Sequence, residues 1–454
     1  MFLVVATAVF VANLDLFIVN VALPAMNQHF HGSTLSALSW VLNGYAIVFA
    51  ALLVPAGRVA DRIGHRTGFL LGLALFTAAS ALCALAPGVG WLVAARVLQA
   101  AGAALLMPTS LALLLDSTAP ERRAGAVRAW ASIGGIAAGL GPVVGGLLVE
   151  ADWRWVFLVN VPIGAAGLLA GLRVLPRRTV RTADAGEPWP DLAGALLLTA
   201  AIGLLAVGLV KSDGWGWGSA RVLGCLAGAA LLTAGFLLRS ARHPAPVVEL
   251  PLLRVPVFAA ANATALLFSV AFAGMLLTSV LWCQQVWGYS ALRTGLAVAP
   301  GPLLVPPITL AAAPLLRRLG AGRLAALGLL AFGAGLGWWV AAIGTAPDYA
   351  AGLLPGMLLT GAGVGLTLPT LLGTAAAALP PTRFATGSAV TTMGRQVGAV
   401  VGVAVVVSLL GTPRTADQAR TAFQHAWWAL IAATALALVT TAVLTRTAAA
   451  RAAE

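Results

Sequence analysis

Residues 3–23 read LVVATAVFVANLDLFIVNVAL and contain one ionisable side chain, the carboxylate of Asp15. A run of about 20 apolar residues is long enough to cross the hydrocarbon core of a bilayer as a helix. A carboxylate inside such a helix is costly and normally has a partner or a function. The stretch therefore predicts a membrane-spanning helix that carries a candidate functional residue.

The rest of the chain repeats this apolar pattern. Of its 454 residues, 60% are hydrophobic and only 9% are charged, whereas a soluble domain carries about 25% charged residues. So few charges cannot cover a water-facing surface, and we predict an all-α polytopic membrane protein. Fourteen runs are long enough to span, with approximate bounds 3–23, 38–57, 68–86, 91–115, 127–149, 155–175, 191–211, 220–239, 257–284, 293–316, 324–343, 350–376, 387–411 and 425–446.

Basic residues indicate which loops face the cytoplasm. Most of the 27 Lys and Arg residues fall after even-numbered runs or in the C-terminal tail. Because positively charged loops stay in the cytoplasm, we predict a multi-pass protein of the cell membrane with both termini cytoplasmic. The same distribution argues against a nucleic-acid partner, although the net charge is +13, since the charges do not form one basic face.

Two basic segments hint at an internal repeat. PAGRVADRIGHR follows the second run at 55–66, and APLLRRLGAGR follows the tenth at 313–323. Parallel six-helix repeats are a known plan of transporters. We therefore predict an N-terminal six-helix bundle at 1–180, an inserted helix pair at 181–250, and a C-terminal six-helix bundle with a short tail at 251–454.

The segment at 57–66 also carries a motif. Its glycines permit a tight turn, and an acid among arginines can form a charge cluster that holds helix ends together. The segment resembles the signature loop between helices 2 and 3 of the major facilitator superfamily, which implies a conformational latch. The matching residues are Gly57, Asp61, Arg62, Gly64 and Arg66.

Arg96 lies inside the fourth run, where an arginine is costly. Two interpretations stay open: its side chain extends to the outer surface, or it pairs with Asp15, whose predicted depth is similar. Residues 92–104 read LVAARVLQAAGAA and resemble the superfamily's helix 4 motif at Arg96 and Gln99. The resemblance implies a part for Arg96 in proton transfer.

The fifth run is rich in glycine. Residues 134–146 read GGIAAGLGPVVGG, which places glycines on two helix faces and lets neighbouring helices approach closely. Generic packing of small residues would explain this pattern too. The run also resembles the G-P-x-x-G-G signature of antiporters in the superfamily. That resemblance implies a hinge at Gly141, Pro142, Gly145 and Gly146.

Two further stretches resemble the fourteen-helix drug:proton antiporter group of this superfamily. They are NLDLFIVNVALP at 13–24, with Phe17 where the group has threonine, and ATGSAVTTMGRQVG at 385–398. The resemblance implies a central substrate cavity between two bundles. Its candidate residues are Asn20, Gln99, Arg395 and Gln396.

Proton coupling needs a buried group that titrates, and Asp15 is the one acid of 14 that lies deep in a predicted span. Loss of water favours its neutral form, while a nearby guanidinium favours its charged form. A conformational change in that balance would bind and release a proton. We therefore predict that Asp15 and Arg96 couple transport to protons.

Other functions lack their motifs. No phosphate-binding GxxxxGK[ST] is present, the histidines and cysteines show no metal-ligand spacing, and we interpret His65 as a loop or interface residue. We therefore expect no catalytic residues, no metal site, no cofactor and no enzyme activity.

The predicted function is a proton-coupled antiporter that exports amphipathic drugs or antibiotics from the cytoplasm. Its partners would be the drug, protons and the lipid bilayer, and we expect a monomer. An alternative is a proton-linked uptake carrier for a nutrient or metabolite, which shares the fold but does not call for the signature in the fifth run.

Overall fold

The computed structural model describes residues 1–31, 33–119, 122–176, 188–380, 383–411 and 415–453. Within these ranges the chain is helical and has no β-strand, which confirms the predicted all-α class. The helices are α1 Phe2–His29, α2 Leu35–Ile63, α3 His65–Ala84, α4 Val89–Asp116, α5 Arg123–Ala151, α6 Trp155–Leu158, α7 Asn160–Val174, α8 Leu192–Trp215, α9 Ala220–Arg242, α10 Pro256–Leu281, α11 Ala291–Val298, α12 Pro300–Ala342, α13 Leu354–Ala377, α14 Phe384–Leu410 and α15 Ala416–Ala453. Short 3₁₀ or π turns lie at Leu250–Arg254, Trp282–Val286 and Tyr349–Leu353.

In the described part of the chain, 13 helical segments are long and apolar enough to cross a membrane, close to the fourteen predicted. The difference arises at Ala291–Ala342, one segment of 52 residues that contains two predicted spans. At 1.5 Å per residue it would extend about 78 Å, well over the hydrocarbon thickness of about 30 Å. Its backbone leaves the helical conformation at Gly320 (φ 75°, ψ 165°), between the two predicted spans.

The chain divides into two compact units. The first comprises Met1–Gly203 and Leu231–Val248, and the second comprises Leu204–Ala230 and Glu249–Glu454. Two of the three dividing points lie within α8 and α9, and the third lies after α9, between Val248 and Glu249. The predicted boundary at 180/181 lies outside the described residues, and the three predicted domains stay a prediction.

In the first unit, α1 packs against α5, and α4 packs against both α2 and α3. Small residues permit the close crossing of α3 and α4: a Cβ placed on Gly72 would lie 3.0 Å from the carbonyl oxygen of Gly102. Helices in membranes commonly approach through such small residues. This crossing brings the middle of α4 close to α3, and Arg96 lies six residues before Gly102, less than two helical turns away.

In the second unit, α10 packs against α14 and α15, and α12 packs against α13 and α15. Aromatic rings hold the end of α10 to α15. The ring centroid of Trp282 lies 5.1 Å from that of Phe423 and 5.2 Å from that of Trp427. All three side chains are buried.

Candidate functional site

Asp15 of α1 and Arg96 of α4 form an ion pair inside the first unit. Their exposed fractions are 0% and 1%, and Nη1 of Arg96 donates a hydrogen bond to Oδ2 of Asp15. The structure therefore brings together the two charges that the sequence placed at similar depth. The side chain of Arg96 does not extend to the surface.

Two amides complete the shell of the carboxylate. Oδ1 of Asp15 accepts one hydrogen bond from Nε2 of Gln99 and one from Nδ2 of Asn160, each 3.0 Å long. Gln99 also accepts a hydrogen bond of 2.6 Å from Nη1 of Arg96 through its own Oε1. The carboxylate thus has three donors, which come from α4 and α7.

A buried serine of α3 positions Gln99. Nε2 of Gln99 donates to Oγ of Ser80 over 2.8 Å, and Ser80 in turn donates to the carbonyl oxygen of Phe76 over 2.8 Å. Because the serine hydroxyl is occupied as a donor, it is left to accept from the amide. This fixes which end of the Gln99 amide faces Asp15.

Helix α2 supplies the surroundings of the guanidinium. Nε of Arg96 donates to the carbonyl oxygen of Val41 over 3.1 Å, and the guanidinium carbon lies 4.2 Å from the ring centroid of Tyr45. Such cation–π contacts are strongest where water is excluded. Tyr45 is 1% exposed, so its ring also shields the ion pair from solvent.

The ion pair meets the condition for burying two charges. A buried ion pair offsets its loss of hydration only when both charges keep good hydrogen bonds, and here Asp15 and Arg96 both do. Loss of either charge would leave the other one buried without its counter-charge.

Sequence reasoning missed three members of this site: Asn160, Ser80 and Tyr45. A signal for Asn160 exists, since it is the one polar side chain in the run WVFLVNVPIG at 155–164. Asn13, which lies two residues before Asp15 in the sequence, does not bond to the Asp15 carboxylate in the described structure. Nδ2 of Asn13 donates to the carbonyl of Val9 over 2.8 Å, because two residues along a helix turn a side chain by about 200°.

The substrate-cavity candidate Asn20 also bonds within its own helix. Its Nδ2 donates to the carbonyl oxygen of Leu16 over 3.2 Å, and the residue is half-buried. Gln99, by contrast, lies directly on the Asp15 carboxylate. Of the cavity candidates in the first unit, therefore, only Gln99 joins the buried ion pair.

At the junction of α2 and α3, His65 lies between two carboxylates. Its Nε2 is 3.0 Å from Oδ1 of Asp61, and its Nδ1 is 2.9 Å from Oδ2 of Asp116. Because ionised carboxylates only accept hydrogen bonds, this geometry fits a charged imidazolium that donates from both nitrogens. His65 is therefore a bridge between the ends of α2 and α4, a role that the sequence interpretation did not assign to it.

The arginines of the same motif bind nearby helix ends. Arg66 donates to the carbonyl oxygens of Leu172 and Leu175 over 3.1 and 3.2 Å, where α7 ends and its carbonyls lack helical partners. The guanidinium carbon of Arg62 lies 4.7 Å from the ring centroid of Trp189. The motif thus ties α3 to α7 as well as to α2 and α4.

The motif glycines shape this junction. Gly64 has φ 91°, a backbone conformation that glycine adopts without the penalty of a Cβ. Gly57 packs against Pro108 of α4, whose Cβ would lie 3.5 Å from a Cβ at that position. Gly64 thus permits the turn between α2 and α3, and Gly57 lies against α4.

The glycine-rich helix α5 packs against α1 at Phe17 and Ile18, which follow Asp15 in the sequence. A Cβ placed on Gly141 would lie 2.5 Å from Cβ of Phe17, and one on Gly145 would lie 3.0 Å from the carbonyl oxygen of Ile18. Pro142 lies inside the helix, and Gly146 is buried. Two of the four motif residues, Gly141 and Gly145, therefore lie directly against α1.

The remaining candidates, Arg395 and Gln396, lie on α14 of the second unit. Nε of Arg395 and Nε2 of Gln396 are buried and have no hydrogen-bond partner among the described residues. Across the same described ranges, no three His, Cys, Asp or Glu side chains are grouped so that they could hold a metal ion.

Comparison with known proteins identifies the family to which the chain is similar. The sequence model of the Major Facilitator Superfamily matches residues 5–403. The chain is 34% identical over 403 residues to the methylenomycin A resistance protein of Streptomyces coelicolor. This alignment covers 88% of this chain and 83% of that protein. It is 32% identical over 406 residues to the multidrug resistance protein B homolog of Mycobacterium tuberculosis. That alignment covers 88% of this chain and 74% of the relative.

A third relative is matched over a shorter length. The chain is 38% identical over 299 residues to the tetracenomycin C resistance and export protein of Streptomyces glaucescens, which covers 66% of this chain and 55% of that protein. Among solved structures, a peptide transporter POT in complex with sulfate superimposes with a TM-score of 0.69 over 98% of this chain and 94% of the other. At 17% identity, this similarity concerns the fold alone.

Proposed function

The chain belongs to the Major Facilitator Superfamily, and we propose that it is a proton-coupled antiporter that exports amphipathic drugs or antibiotics from the cytoplasm. The names of its relatives support drug export: two are resistance proteins for a named antibiotic or for multiple drugs, and one is a resistance and export protein. We further propose that it acts as a monomer in the cell membrane with both termini in the cytoplasm, and that it is not an enzyme.

The observation that carries proton coupling is the buried pair of Asp15 and Arg96. In the spans that the structure describes, every other acidic residue lies within three residues of a span end. An acid deep in a span is the group whose charge depends most on its surroundings. Asp15 is therefore the proposed proton carrier, and Arg96 the group that favours release of the proton.

The proposed cycle alternates between two forms of this pair. When Asp15 is ionised, it holds Arg96 and the amide of Gln99. When Asp15 takes up a proton from outside, the ion pair is lost and α1 is less firmly held to α4. A proton can drive conformational change only through such a difference in interaction between states.

Other motifs would serve the conformational change. We assign a latch at the cytoplasmic face to Gly57, Asp61, Arg62, Gly64 and Arg66, with His65 as its centre. The hinge role that we assign to Gly141, Pro142, Gly145 and Gly146 is supported by the close packing of Gly141 and Gly145 on α1. Substrate contacts are assigned to Asn20, Gln99, Arg395 and Gln396.

Inverted membrane vesicles test this function. In them an exporter moves drug inward, so an acid lumen should drive accumulation of the neutral dye N-phenyl-1-naphthylamine, and an uncoupler should abolish it. Vesicles with Asp15→Asn should show no proton-driven accumulation. If wild-type vesicles accumulate no dye, or if the variant still dissipates a proton gradient as it transports, the proposal is wrong. An uptake carrier would instead expel its substrate from these vesicles.

A further inference from the structure

Arg395 places a positive charge in the middle of a membrane span. The span Thr386–Leu410 has 25 residues, and Arg395 lies nine residues after its start, about 14 Å along the helix axis. In a hydrocarbon core of about 30 Å, that is close to the midplane. Lipid phosphates at the surface are therefore poor partners for this guanidinium.

No acid of the second unit neutralises Arg395 within the ranges that the structure describes. Glu249 pairs with Arg383 over 2.8 Å, and Asp348 accepts from the backbone of Ala351 at the start of a helical turn. Asp417 lies at the start of α15, and Asp213 packs beside Gly411 just after the end of α14. Arg395 thus differs from Arg96, whose counter-charge is built into the protein.

The contact between α10 and α14 contains further polar atoms without partners. Gly387, Gly398 and Gly402 of α14 pack against Phe258, Leu266 and Val270 of α10. Arg395 lies three and seven residues before the last two glycines and so shares their face. Asn262 lies midway between Phe258 and Leu266 on the facing stripe of α10.

Two polar atoms of this contact are buried and lack hydrogen-bond partners among the described residues: Nε of Arg395 and Oδ1 of Asn262. Nε2 of Gln396, the next residue of α14, is also buried and without a partner in the described ranges. A buried charge or polar group that lacks a partner is costly. Arg395 as a whole is partly accessible, so a ligand can reach its guanidinium.

We propose that Arg395 binds the ionised acidic group of the transported molecule, so that the preferred substrates are amphipathic anions such as aromatic carboxylates or sulfonates. This inference rests on the proposed export function and specifies its substrate class. The guanidinium forms charge-assisted hydrogen bonds with such groups. Gln396 supplies a second donor, and Asn262 accepts from a hydroxyl or amide of the same molecule.

Binding to the purified, full-length protein tests the inference. The probes are 1-anilinonaphthalene-8-sulfonate, which carries a fixed negative charge, and N-phenyl-1-naphthylamine, which has the same arylamine skeleton without it. Arg395→Gln should weaken binding of the sulfonate about 10- to 100-fold and leave the neutral dye unchanged. Arg420→Gln makes the same change of charge at an exposed position of α15 and should affect neither. If Arg395→Gln changes both dyes equally, or neither, the inference is overturned.

A second measurement needs no variant. On the wild-type protein, 2-naphthoate should displace the bound sulfonate dye at a concentration about tenfold lower than 2-naphthamide. Equal displacement by the two compounds overturns the inference even if Arg395→Gln fails to fold.

Transport separates the two proposals. Acid-loaded inverted vesicles of the wild type should accumulate both dyes, and those of Arg395→Gln should accumulate only the neutral one. Accumulation of the neutral dye alone by the wild type overturns the anion inference and leaves export intact. Accumulation of neither dye overturns export itself, while the binding experiments still decide what Arg395 recognises.

Discussion

Asn160 of α7 donates a hydrogen bond of 3.0 Å to Oδ1 of Asp15, although 145 residues separate the two in the sequence. This bond leaves Oδ2 of the carboxylate for Arg96 and keeps the two oxygens in distinct roles. Asn160 is 1% exposed, so this hydrogen bond is shielded from bulk solvent. The orientation of the proposed proton carrier therefore depends on a helix far from it along the chain.

Asn160→Leu should lower both the stability of the protein and its proton-driven transport. The carboxylate of Asp15 loses one of its three donors, and a hydrogen bond to a charged group contributes about 1.5–3 kcal/mol. Unfolding of the purified protein and proton-driven dye accumulation in vesicles measure the two effects. Asn13→Leu is the control, because among the described residues Asn13 bonds to its own helix; equal losses in the two variants would contradict the prediction.

Asp15 and Arg96 should be strongly coupled in stability. Asp15→Asn or Arg96→Gln alone leaves a buried charge without its partner and should cost about 3–5 kcal/mol. The double variant removes both charges and should cost about 1–3 kcal/mol less than the sum of the single costs. Unfolding of the purified protein at one fixed pH measures the cycle.

The half-exposed pair of Asp152 and Arg154, 3.5 Å apart, provides the control cycle. Its coupling should be about 0–1 kcal/mol, as for other surface pairs. Additive costs at Asp15 and Arg96 would mean that the two charges do not depend on each other.

His65→Ala should loosen the junction of α2, α3 and α4. It removes the bridge and leaves the carboxylates of Asp61 and Asp116 to repel each other, at an expected cost of about 1–3 kcal/mol. His65→Ala combined with Asp116→Asn should recover part of this loss. Thermal unfolding is the readout, and His31→Ala, at an exposed histidine, is the matched control. An unchanged melting temperature in His65→Ala would show that the bridge adds no stability.

Gly145→Ala should separate α1 from α5. The new Cβ would lie 2.9 Å from Cγ1 and 3.0 Å from the carbonyl oxygen of Ile18, and such overpacking costs about 1–3 kcal/mol. Gly135→Ala, on the same helix with no atom within 4 Å of its Cβ, should be neutral or stabilising because alanine favours helix. Melting temperature and dye export should both fall in the first variant only. Equal behaviour of the two would exclude a packing role for the motif.

Much of the fold could be predicted because membrane spans obey local rules. A span satisfies its backbone within one helix, so the length of an apolar run is enough to identify it. Ala291–Ala342 shows the limit of this rule, since residues 317–323 contain three arginines yet are helical apart from Gly320. The sequence predicted the break there correctly and gave its bounds only approximately.

Part of the site could be predicted for an energetic reason. Asp15 and Arg96 stand out because charges inside apolar runs are costly and call for a partner. Ser80 does not stand out, and Asn160 is the one polar side chain of its run but does not indicate a partner on another helix. Single amides and hydroxyls are common in spans and bond readily within their own helix, as Asn13 and Asn20 do. The bridge from His65 to Asp116 crosses 51 residues and has no local signal.

The sequence by itself determined that this chain is a polytopic helical membrane protein, which charges lie within its spans, and which loops carry the family's motifs. These properties follow from composition and from short segments, because each spanning helix satisfies its own backbone hydrogen bonds in the bilayer. Only the tertiary structure decided which side chains surround Asp15, that His65 joins two acids, and that Arg395 has no counter-charge among the described residues of its unit. Those outcomes depend on the rotation and crossing of helices, which the apolar pattern leaves open because lipid and protein neighbours are similarly apolar.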